Sequence, residues 1–207
     1  MAETGADLFE IMRSTRSMRR LKPDPVPDAL LRQVLEAGTC AANGGNMQSW
    51  RFLVIRDAAI KAAAAEWYRK AWQVVGVRYR SGEPAPGMSA EAFARTMNAA
   101  EYLADHLHEA PVWIVPCLSG PRGSGSSIFP AVQNMLLACR ALGLGTTLTT
   151  VYLMHEAEAE AAMGIPEGYH SYAILPVGFP LGKFGPVRRA PLESVVFEDK
   201  WGTAYRG

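Results

Sequence analysis

The chain has 207 residues, of which 49% are hydrophobic, and its 21 basic and 20 acidic residues leave a net charge of +1. A chain of this length and composition can bury one sizeable core, so no second domain is required. The near-zero net charge argues against nucleic acid, an acidic partner or a membrane surface as the ligand, so any anion site must be local.

The N-terminal segment MAETGADLFE carries acidic residues and has no apolar run of the signal-peptide type. No stretch approaches the roughly 18 apolar residues of a membrane span, and these features predict a cytoplasmic protein. Cys40, Cys117 and Cys139 are widely spaced, which fits neither a disulfide framework nor a metal site. We interpret all three cysteines as small core residues.

The first half of the chain reads as helices around a short strand. Leucine and valine recur at helical spacing after Pro27 and Asp28, and Gly38 marks the expected end of this helix. Residues 51–55 are a strand candidate. Long helices are predicted over residues 57–79 and 89–109, separated by a turn at 82–87 that contains two prolines. The run VWIVPCL then predicts a second strand.

The second half begins with residues 129–142, which are apolar nearly all round. Such a helix is normally buried on every side, either as the central helix of the domain or in a large dimer interface. Strands are predicted around residues 145–150 and 171–177, with a helix at 155–163 between them. From residue 180 onward the chain has little periodicity, which is typical of a tail that wraps a partner subunit.

The residue types offer no obvious side-chain catalyst. His106 and His108 are two apart on a predicted helix, so they point to different faces and cannot form a paired metal site. The sequence has no GxSxG, HExxH or P-loop motif, and its glycine run lacks the GxGxxG order of a dinucleotide fold. This absence fits a protein whose bound cofactor carries the chemistry.

Two basic clusters lie at opposite ends of the chain. The segment RSTRSMRRLK at residues 13–22 holds four arginines, and alone it is either a solvated helix end or a phosphate cradle. A second pair, Arg188 and Arg189, could converge with it on one phosphate. Between these clusters lie the amide-rich loop AANGGNMQSW and the threonine-rich residues 146–150. Both segments supply neutral donors and acceptors that suit the edge of a heterocycle.

Four segments in register resemble successive signatures of the nitroreductase family of FMN-dependent oxidoreductases: RSTRSMRRLKPDPVP, AANGGNMQSWRFLVI, QNMLLACRALGLGTTLTT and VRRAPLESVVFEDKWG. The resemblance covers nearly the whole chain, so residues 1–207 are expected to form a single FMN-binding domain. It implies an α+β fold with a mainly antiparallel central sheet flanked by helices. It also implies an intertwined homodimer, in which a domain-swapped C-terminal tail, residues 180–207, wraps the partner and FMN lies at the interface.

The resemblance also implies which residues bind the cofactor. The matching positions are Thr15, Arg16, Ser17, Arg19, Asn43, Gly44, Asn46, Leu148, Thr149, Thr150, Arg188 and Arg189. Arg16 and Ser17 are expected to contact the phosphate and ribityl chain, and Arg19 the pyrimidine edge of the ring. Thr15 stands where the family often has an arginine, so Arg188 or Arg189 is expected to compensate.

The loop of Asn43, Gly44 and Asn46 is implied to reach the flavin of the partner subunit. Its glycines would let the backbone approach the ring closely, and its amides would hydrogen-bond the ring edge. Residues 148–150 are implied to lie over the ring and to present a backbone N–H toward flavin N5. Trp50 follows the loop, and we interpret it as a core residue.

The implied activity is a ping-pong reaction in which NADPH or NADH reduces the flavin and a small-molecule electron acceptor then reoxidises it in the same pocket. Nitroaromatics, quinones and similar planar acceptors are the expected substrates. No catalytic side chain and no metal are expected, and Arg19 would stabilise the charge of the reduced flavin. The alternatives are a specialised enone, aldehyde or dehalogenating reductase, and a flavin-binding protein without redox turnover.

Substrate choice is assigned to a helical lid over residues 58–109. Its aromatic and methionine side chains could form an adaptable wall for planar molecules, although any one of them is more simply a core residue. These side chains are Trp67, Tyr68, Trp72, Tyr79, Met88, Phe93 and Met97.

Overall fold

The computed structural model describes residues 7–84, 88–123 and 125–207. The described helices are α1 (Leu8–Ser14), α2 (Asp28–Thr39), α3 (Ala58–Arg80), α4 (Ala90–His106), α5 (Phe129–Ala141) and α6 (Glu156–Ala162). The described strands are β1 (Trp50–Ile55), β2 (Val112–Ser119), β3 (Gly145–Thr146), β4 (Tyr169–Ser171) and β5 (Leu175–Gly178). The turn predicted at 82–87 falls partly on residues 85–87, which lie outside the described residues.

The five strands form one antiparallel sheet. The order is β1, β2, β5, β3, and β4 pairs with β2 beyond the end of β5. Strand β2 is therefore central, with β1 on one side and both β4 and β5 on the other. The α+β fold with an antiparallel sheet flanked by helices is confirmed.

Alternation along β2 sends side chains into two separate cores. Val112 and Ile114 belong to a cluster with residues of α2 and α5, whereas Trp113, Val115 and Cys117 belong to a cluster with α3, α4 and α6. Successive strand residues point to opposite faces, so a strand buried on both faces is apolar throughout. The helices accordingly form a layer on each side of the sheet.

Helix boundaries follow local capping chemistry. The Asp57 carboxylate accepts a hydrogen bond from the Ile60 N–H at 2.9 Å at the start of α3, and Ser89 caps α4 through the Ala92 N–H at 3.2 Å. Each cap satisfies a backbone donor that has no partner within its helix. No helix among the described residues combines the length and apolar character that crossing a membrane requires.

Two predictions about local structure were wrong in part. Cys40 is exposed, because the buried positions of α2 are Leu31, Val34 and Gly38 and Cys40 is out of phase with them. Helix α5 is buried along one side within the single chain, and Phe129 remains 37% exposed, so of the two predicted settings the dimer interface stays a prediction.

The predicted strand at 145–150 is reduced to β3 and an isolated bridge between Thr149 and Ile174. The chain then enters a 3₁₀ turn, Val151–His155. Residues 147 and 148 lie outside the sheet, between β3 and this bridge. They line the two cavities of the candidate site.

The C-terminal tail begins alongside residues 13–22, which are called the N-terminal segment from here on. Leu181 N–H donates to the Arg20 carbonyl at 3.0 Å, and Val187 N–H donates to the Arg13 carbonyl at 2.9 Å. Farther on, the tail contains a 3₁₀ turn, Leu192–Ser194, and a bridge between Phe197 and Ala204. Several of its apolar side chains are exposed, including Trp201 at 91%.

Candidate functional site

Two cavities share a wall formed by Thr147 and Leu148. The first has a volume of about 240 Å³ and lies between the N-terminal segment, α5 and the tail. The second has a volume of about 260 Å³ and lies between the N-terminal segment, α3 and α4. Together they form a candidate site that extends from residues 12–17 and α5 on one side of Thr147 and Leu148 to the helical lid on the other.

The first cavity is basic. Arg16, Arg140 and Arg189 line it with Thr15 and Ser17, and none of its described lining residues is acidic. Within the described chain, neither Arg16 nor Arg189 pairs with a carboxylate. A guanidinium group that has no carboxylate partner can form paired hydrogen bonds with phosphate oxygens. This cavity is therefore suited to a phosphorylated ligand.

Arg140 is held in place on three sides. Its Nε donates to Ser14 Oγ at 2.9 Å, and its guanidinium lies 4.5 Å from the ring centroid of Phe184. Glu10 approaches the same guanidinium at 3.9 Å and is largely exposed. These contacts fix the side chain at the cavity wall, where it joins α1, α5 and the tail.

The hydroxyl of Thr146 is buried in the same wall. Its Oγ1 has no hydrogen-bond partner among the described residues. A buried hydroxyl without a partner is energetically costly, at about 1–3 kcal/mol. Thr146 lines the first cavity, so a rotation of its side chain toward the cavity would let this hydroxyl bond a ligand oxygen there.

Close backbone contacts bring the two ends of the chain to this site. Met18 N–H donates to the Thr146 carbonyl at 2.9 Å. A Cβ atom on Gly145 would lie 2.9 Å from Leu21 Cδ2 and 3.0 Å from both Met18 Cβ and Pro180 Cβ. Glycine at this position therefore lets the N-terminal segment and the tail pack directly on β3.

The second cavity is aromatic and is lined by the half-buried cation Arg19. Tyr68, Trp72 and Tyr79 line it opposite Arg19 and residues 147–151. The rings of Trp72 and Tyr79 are stacked, with centroids 6.3 Å apart and planes at 16°. A planar ligand in this cavity could stack on the aromatic side chains and place one edge near the positive charge of Arg19.

Arg19 and Tyr68 influence each other's ionisation. Burial lowers the pKa of Arg19, but an arginine with a lowered pKa still carries its charge at neutral pH. Burial raises the pKa of Tyr68, so its hydroxyl stays protonated and shares a hydrogen bond of 2.9 Å with Thr149 Oγ1. Arg19 has no carboxylate partner in the described chain, which leaves its charge available to a ligand.

Most of the residues expected to bind a cofactor meet at the two cavities. Thr15, Arg16, Ser17 and Arg189 line the first, Arg19, Thr149 and Thr150 line the second, and Leu148 lines both. Arg188 lines neither. Of the two tail arginines, the structure brings Arg189 to the site.

The amide-rich loop lies apart from both cavities. Asn43 Oδ1 accepts from the Gln48 N–H at 2.9 Å, and the Gly44 N–H donates to Ser127 Oγ at 3.2 Å. Asn46 has a positive φ of 54°. The Asn43 amide thus stabilises the loop itself, and Trp50 beyond it is buried in the core, as predicted.

Several lining residues escaped sequence reasoning. Gln133 and Arg140 are seven residues apart on α5 and both line the first cavity with Leu136 between them. Two polar residues at this spacing in an apolar helix share one face, and that pattern was a readable signal. Phe184 had no such signal. Thr146 and Thr147 were expected only as part of the threonine-rich residues 146–150, because their place at the cavity wall depends on how the chain leaves the sheet.

The lid side chains divide between the site and other contacts. Tyr68, Trp72, Tyr79 and Met97 line the second cavity. Trp67 instead packs against His155 and lies under Lys70 Nζ, which is 3.8 Å from the ring centroid. Phe93 lines an adjoining cavity with Tyr79.

Comparisons with known proteins identify the family and the fold. Residues 12–179 match the model of the Nitroreductase family. The chain is 30% identical over 197 residues to a protein of Thermus thermophilus called NADH dehydrogenase, with 87% of this chain and 90% of the relative covered.

Two solved structures have the same fold. One is iodotyrosine deiodinase bound to FMN and 3-iodo-L-tyrosine, with 23% identity, a TM-score of 0.72, and coverage of 94% of this chain and 99% of that one. The other is a nitroreductase with bound FMN from Desulfitobacterium hafniense, with 19% identity, a TM-score of 0.69, and coverage of 96% and 100%.

Proposed function

The chain belongs to the nitroreductase family, and on that premise we propose that it is an FMN-dependent oxidoreductase that takes electrons from NADPH or NADH and passes them to a planar organic acceptor. The observation that carries this proposal is the pairing of the two cavities. A basic cavity, with a buried hydroxyl that has no partner among the described residues, lies beside an aromatic cavity with a half-buried arginine. FMN has a phosphate at one end and a planar ring at the other.

The residues of the first cavity fit the polar half of FMN. Arg16, Ser17 and Arg189 would hold the phosphate, and the Thr146 hydroxyl would bond a ribityl or phosphate oxygen. Arg140 adds a further positive charge at the same wall. The donor set suits a dianion, because arginine forks form paired, charge-assisted hydrogen bonds with phosphate oxygens.

The second cavity fits the ring. When bound there, FMN supplies the hydride chemistry, which none of the side chains present can supply. Arg19 would lie at the pyrimidine edge and stabilise negative charge on the reduced ring, and its burial strengthens that interaction. Residues 148–150 would border the ring and orient it.

The aromatic wall would set substrate choice. Tyr68, Trp72 and Tyr79 offer stacking surfaces, and Met97 offers an adaptable one. Nitroaromatics and quinones are planar and carry oxygen acceptors, so they match both the rings and the Tyr68–Thr149 hydroxyl pair. We propose these as the acceptor class.

The remaining parts of the proposal concern a second copy of the chain. Asn43, Gly44 and Asn46 line neither cavity of their own subunit, so we assign them to the flavin of the partner. The tail from residue 180 would wrap that partner. Its exposed Leu192, Val195 and Trp201 support this assignment, because such side chains are usually covered.

A specialised reductase is the second candidate, and the likeness to iodotyrosine deiodinase favours it. The two candidates share the cofactor and differ only in the acceptor. Assaying nitroaromatics, quinones, enones, aldehydes and halogenated phenols with one reduced preparation would separate them.

The test of the proposed function is the visible spectrum of the purified protein, followed by anaerobic addition of NADPH and then NADH. Bleaching of a yellow protein by either donor is the expected result, and the faster donor identifies the reductant. A yellow protein that neither donor bleaches would instead support a flavin-binding protein without turnover. Failure to bind added FMN would overturn the proposal.

A further inference from the structure

Outside the two cavities, a cluster of potential metal ligands lies where α6 meets β4. Glu156 and Glu160 are four residues apart on α6 and so share one face of the helix. His170 faces them from β4, and one ligand atom from each of the three residues lies within 4.8 Å of the others. His170 follows Glu160 by ten residues, and only the packing of β4 against α6 brings it to the two carboxylates.

Hydrogen bonds hold Glu160 in a defined orientation. Its Oε1 accepts from the Ser171 N–H at 2.5 Å and from Ser171 Oγ at 2.7 Å, and Tyr152 O–H donates to Ser171 Oγ at 2.8 Å. The residue is only 9% exposed. Such outer contacts orient a carboxylate before an ion arrives, as they do in established metal sites.

This orientation leaves Glu160 Oε2 directed at His170. Oε2 lies 3.9 Å from His170 Nδ1, which is too far for a hydrogen bond, and His170 Nδ1 lies 3.1 Å from Glu156 Oε1. Two ligand atoms that share an ion at about 2.1 Å are typically about 3.0–3.5 Å apart. The separation of His170 Nδ1 and Glu156 Oε1 already suits a shared ion, and Glu160 Oε2, 3.9 Å from Nδ1, would have to move closer by about half an ångström.

The charges of the cluster leave room for a cation. Glu156 and Glu160 are two carboxylates, and Arg122 pairs with Glu156. Arg122 also donates to the Ser171 carbonyl at 3.2 Å and lies 5.0 Å from the Tyr172 ring centroid. These two contacts would keep its side chain in place if a metal ion took over Glu156. With a neutral His170, one negative charge remains unbalanced.

A groove reaches the cluster from solvent. Gly120, Pro121 and Gly168 line it together with Glu160 and His170. An ion can therefore enter, and water can complete its coordination.

We propose that Glu156, Glu160 and His170 bind one divalent first-row transition-metal ion, of which Zn²⁺ is the best match. Two carboxylate oxygens and one imidazole nitrogen form a mixed ligand set that Zn²⁺ accepts readily. The ion joins α6 to β4 and stabilises the fold outside the flavin site. This inference is independent of the proposed redox activity.

The test is a calorimetric titration of Zn²⁺ into the chelator-treated, dialysed protein with its flavin bound and free FMN removed. One saturable equivalent is expected. His170→Gln should weaken binding at least about tenfold, because it removes the nitrogen ligand. The matched control is His106→Gln, since His106 Nδ1 also faces a glutamate, Glu109, at 2.9 Å but has no second carboxylate in that pair. This control should leave the titration unchanged.

Arg122→Gln gives a test of opposite sign. Removing the competing guanidinium should strengthen Zn²⁺ binding in the titration. If the cluster is only an ion-pair network, the same substitution should lower the stability of the fold and give no stronger Zn²⁺ binding. Absence of a saturable equivalent in the wild-type protein would overturn the proposal, as would equal losses in His170→Gln and His106→Gln. If His170→Gln does not fold, the direction of the Arg122→Gln effect still decides the question.

Discussion

Arg16 lines the first cavity without a carboxylate partner in the described chain, so its charge is available to a ligand. We expect Arg16→Ala to weaken FMN binding by about 1.5–3 kcal/mol, or roughly 10- to 150-fold, the usual value of a hydrogen bond to a charged group. Fluorescence titration of the stripped protein with FMN measures this. Arg32→Ala is the control, because Arg32 forms an exposed pair with Glu36 outside both cavities. Equal affinities in the two variants would remove Arg16 from the phosphate site.

A second prediction at this scale concerns alkaline stability. Burial raises the pKa of Cys139 from 9.0 to about 12, so the folded state keeps a proton that the unfolded state loses first. The contribution of this thiol is complete below about pH 9 and is lost as the pH rises toward 12. Between about pH 9 and pH 12, the free energy of unfolding should fall with rising pH in both proteins. The fall should be less steep in Cys139→Ala than in the wild type, by about 1.4 kcal/mol per pH unit.

Urea unfolding at several pH values measures that slope. Cys40→Ala is the matched control, because Cys40 is exposed and its removal should leave the slope as it is in the wild type. A slope in Cys139→Ala identical to that of Cys40→Ala would contradict the assignment of the effect to the buried thiol.

The polar residues of the site were only partly readable from the sequence. Arg16, Ser17 and Arg19 stood in a recognisable motif, and a meeting of Arg16 with Arg188 or Arg189 at one phosphate was expected from it; Arg16, Ser17 and Arg189 do line one cavity, whereas Arg19 lines the other. Thr146 was expected only as part of the threonine-rich residues 146–150. That its hydroxyl has no hydrogen-bond partner among the described residues is a property of the fold. Arg140 was hidden in an apolar helix that was expected either at the centre of the domain or in a dimer interface, and not at a ligand site.

At the scale of elements, the helices were predictable because their signals are local. Asp57 and Ser89 are capping residues that directly precede apolar periodicity, and α3 and α4 begin right after them. The course of residues 145–150 was not predictable. A threonine-rich run favours a strand by propensity, but only β3 finds a pairing partner in β5, and the sheet decides where pairing ends.

The junction between β3, the N-terminal segment and the tail gives a prediction at the same scale. A Cβ on Gly145 would meet three side chains at 2.9–3.0 Å. We expect Gly145→Ala to separate these elements, to cost about 1–3 kcal/mol of stability, and to weaken FMN binding in parallel. Thermal unfolding and FMN titration measure the two effects.

Gly182→Ala is the control for that junction. A Cβ there would lie 3.5 Å from Met18 Cε, an ordinary contact with a flexible side chain. Its stability and FMN affinity should both stay close to wild type. If Gly145→Ala behaved in the same way, close packing at β3 would not be what shapes the first cavity.

The whole molecule exposes more surface than a self-sufficient monomer would. Its accessible surface is 12323 Å², whereas a monomer of 22.5 kDa is expected to expose about 9,500 Å². Exposed apolar side chains of the tail contribute to the excess, among them Trp201 at 91% and Val195 at 62%. An intertwined second copy would cover such a surface.

Deleting residues 190–207 should therefore weaken association while keeping Arg189 in the first cavity. Sedimentation velocity is expected to give twice the chain mass of 22.5 kDa for the full chain and a concentration-dependent fall toward the monomer for the truncated one. Trp201→Ser, a milder change in the same tail, should shift the equilibrium in the same direction by a smaller amount. A truncated chain that remains a stable dimer would show that the tail is not the main contact.

The strongest test of the whole assembly asks on which flavin the loop of Asn46 acts. Asn46→Gly removes the amide without strain, because Asn46 has a φ of 54° and glycine accepts that conformation. This change can be combined with Arg16→Ala, which damages the flavin site of its own subunit.

Consider a mixed dimer that carries Arg16→Ala in one subunit and Asn46→Gly in the other. If the loop acts across the interface, both lesions fall on the same site, so one tight FMN per dimer remains. If the loop acts on its own subunit, both sites are damaged and no tight FMN remains. Placing both substitutions in one subunit opposite a wild-type partner reverses the two outcomes. FMN retained per dimer after dialysis therefore decides whether each site is built from two chains.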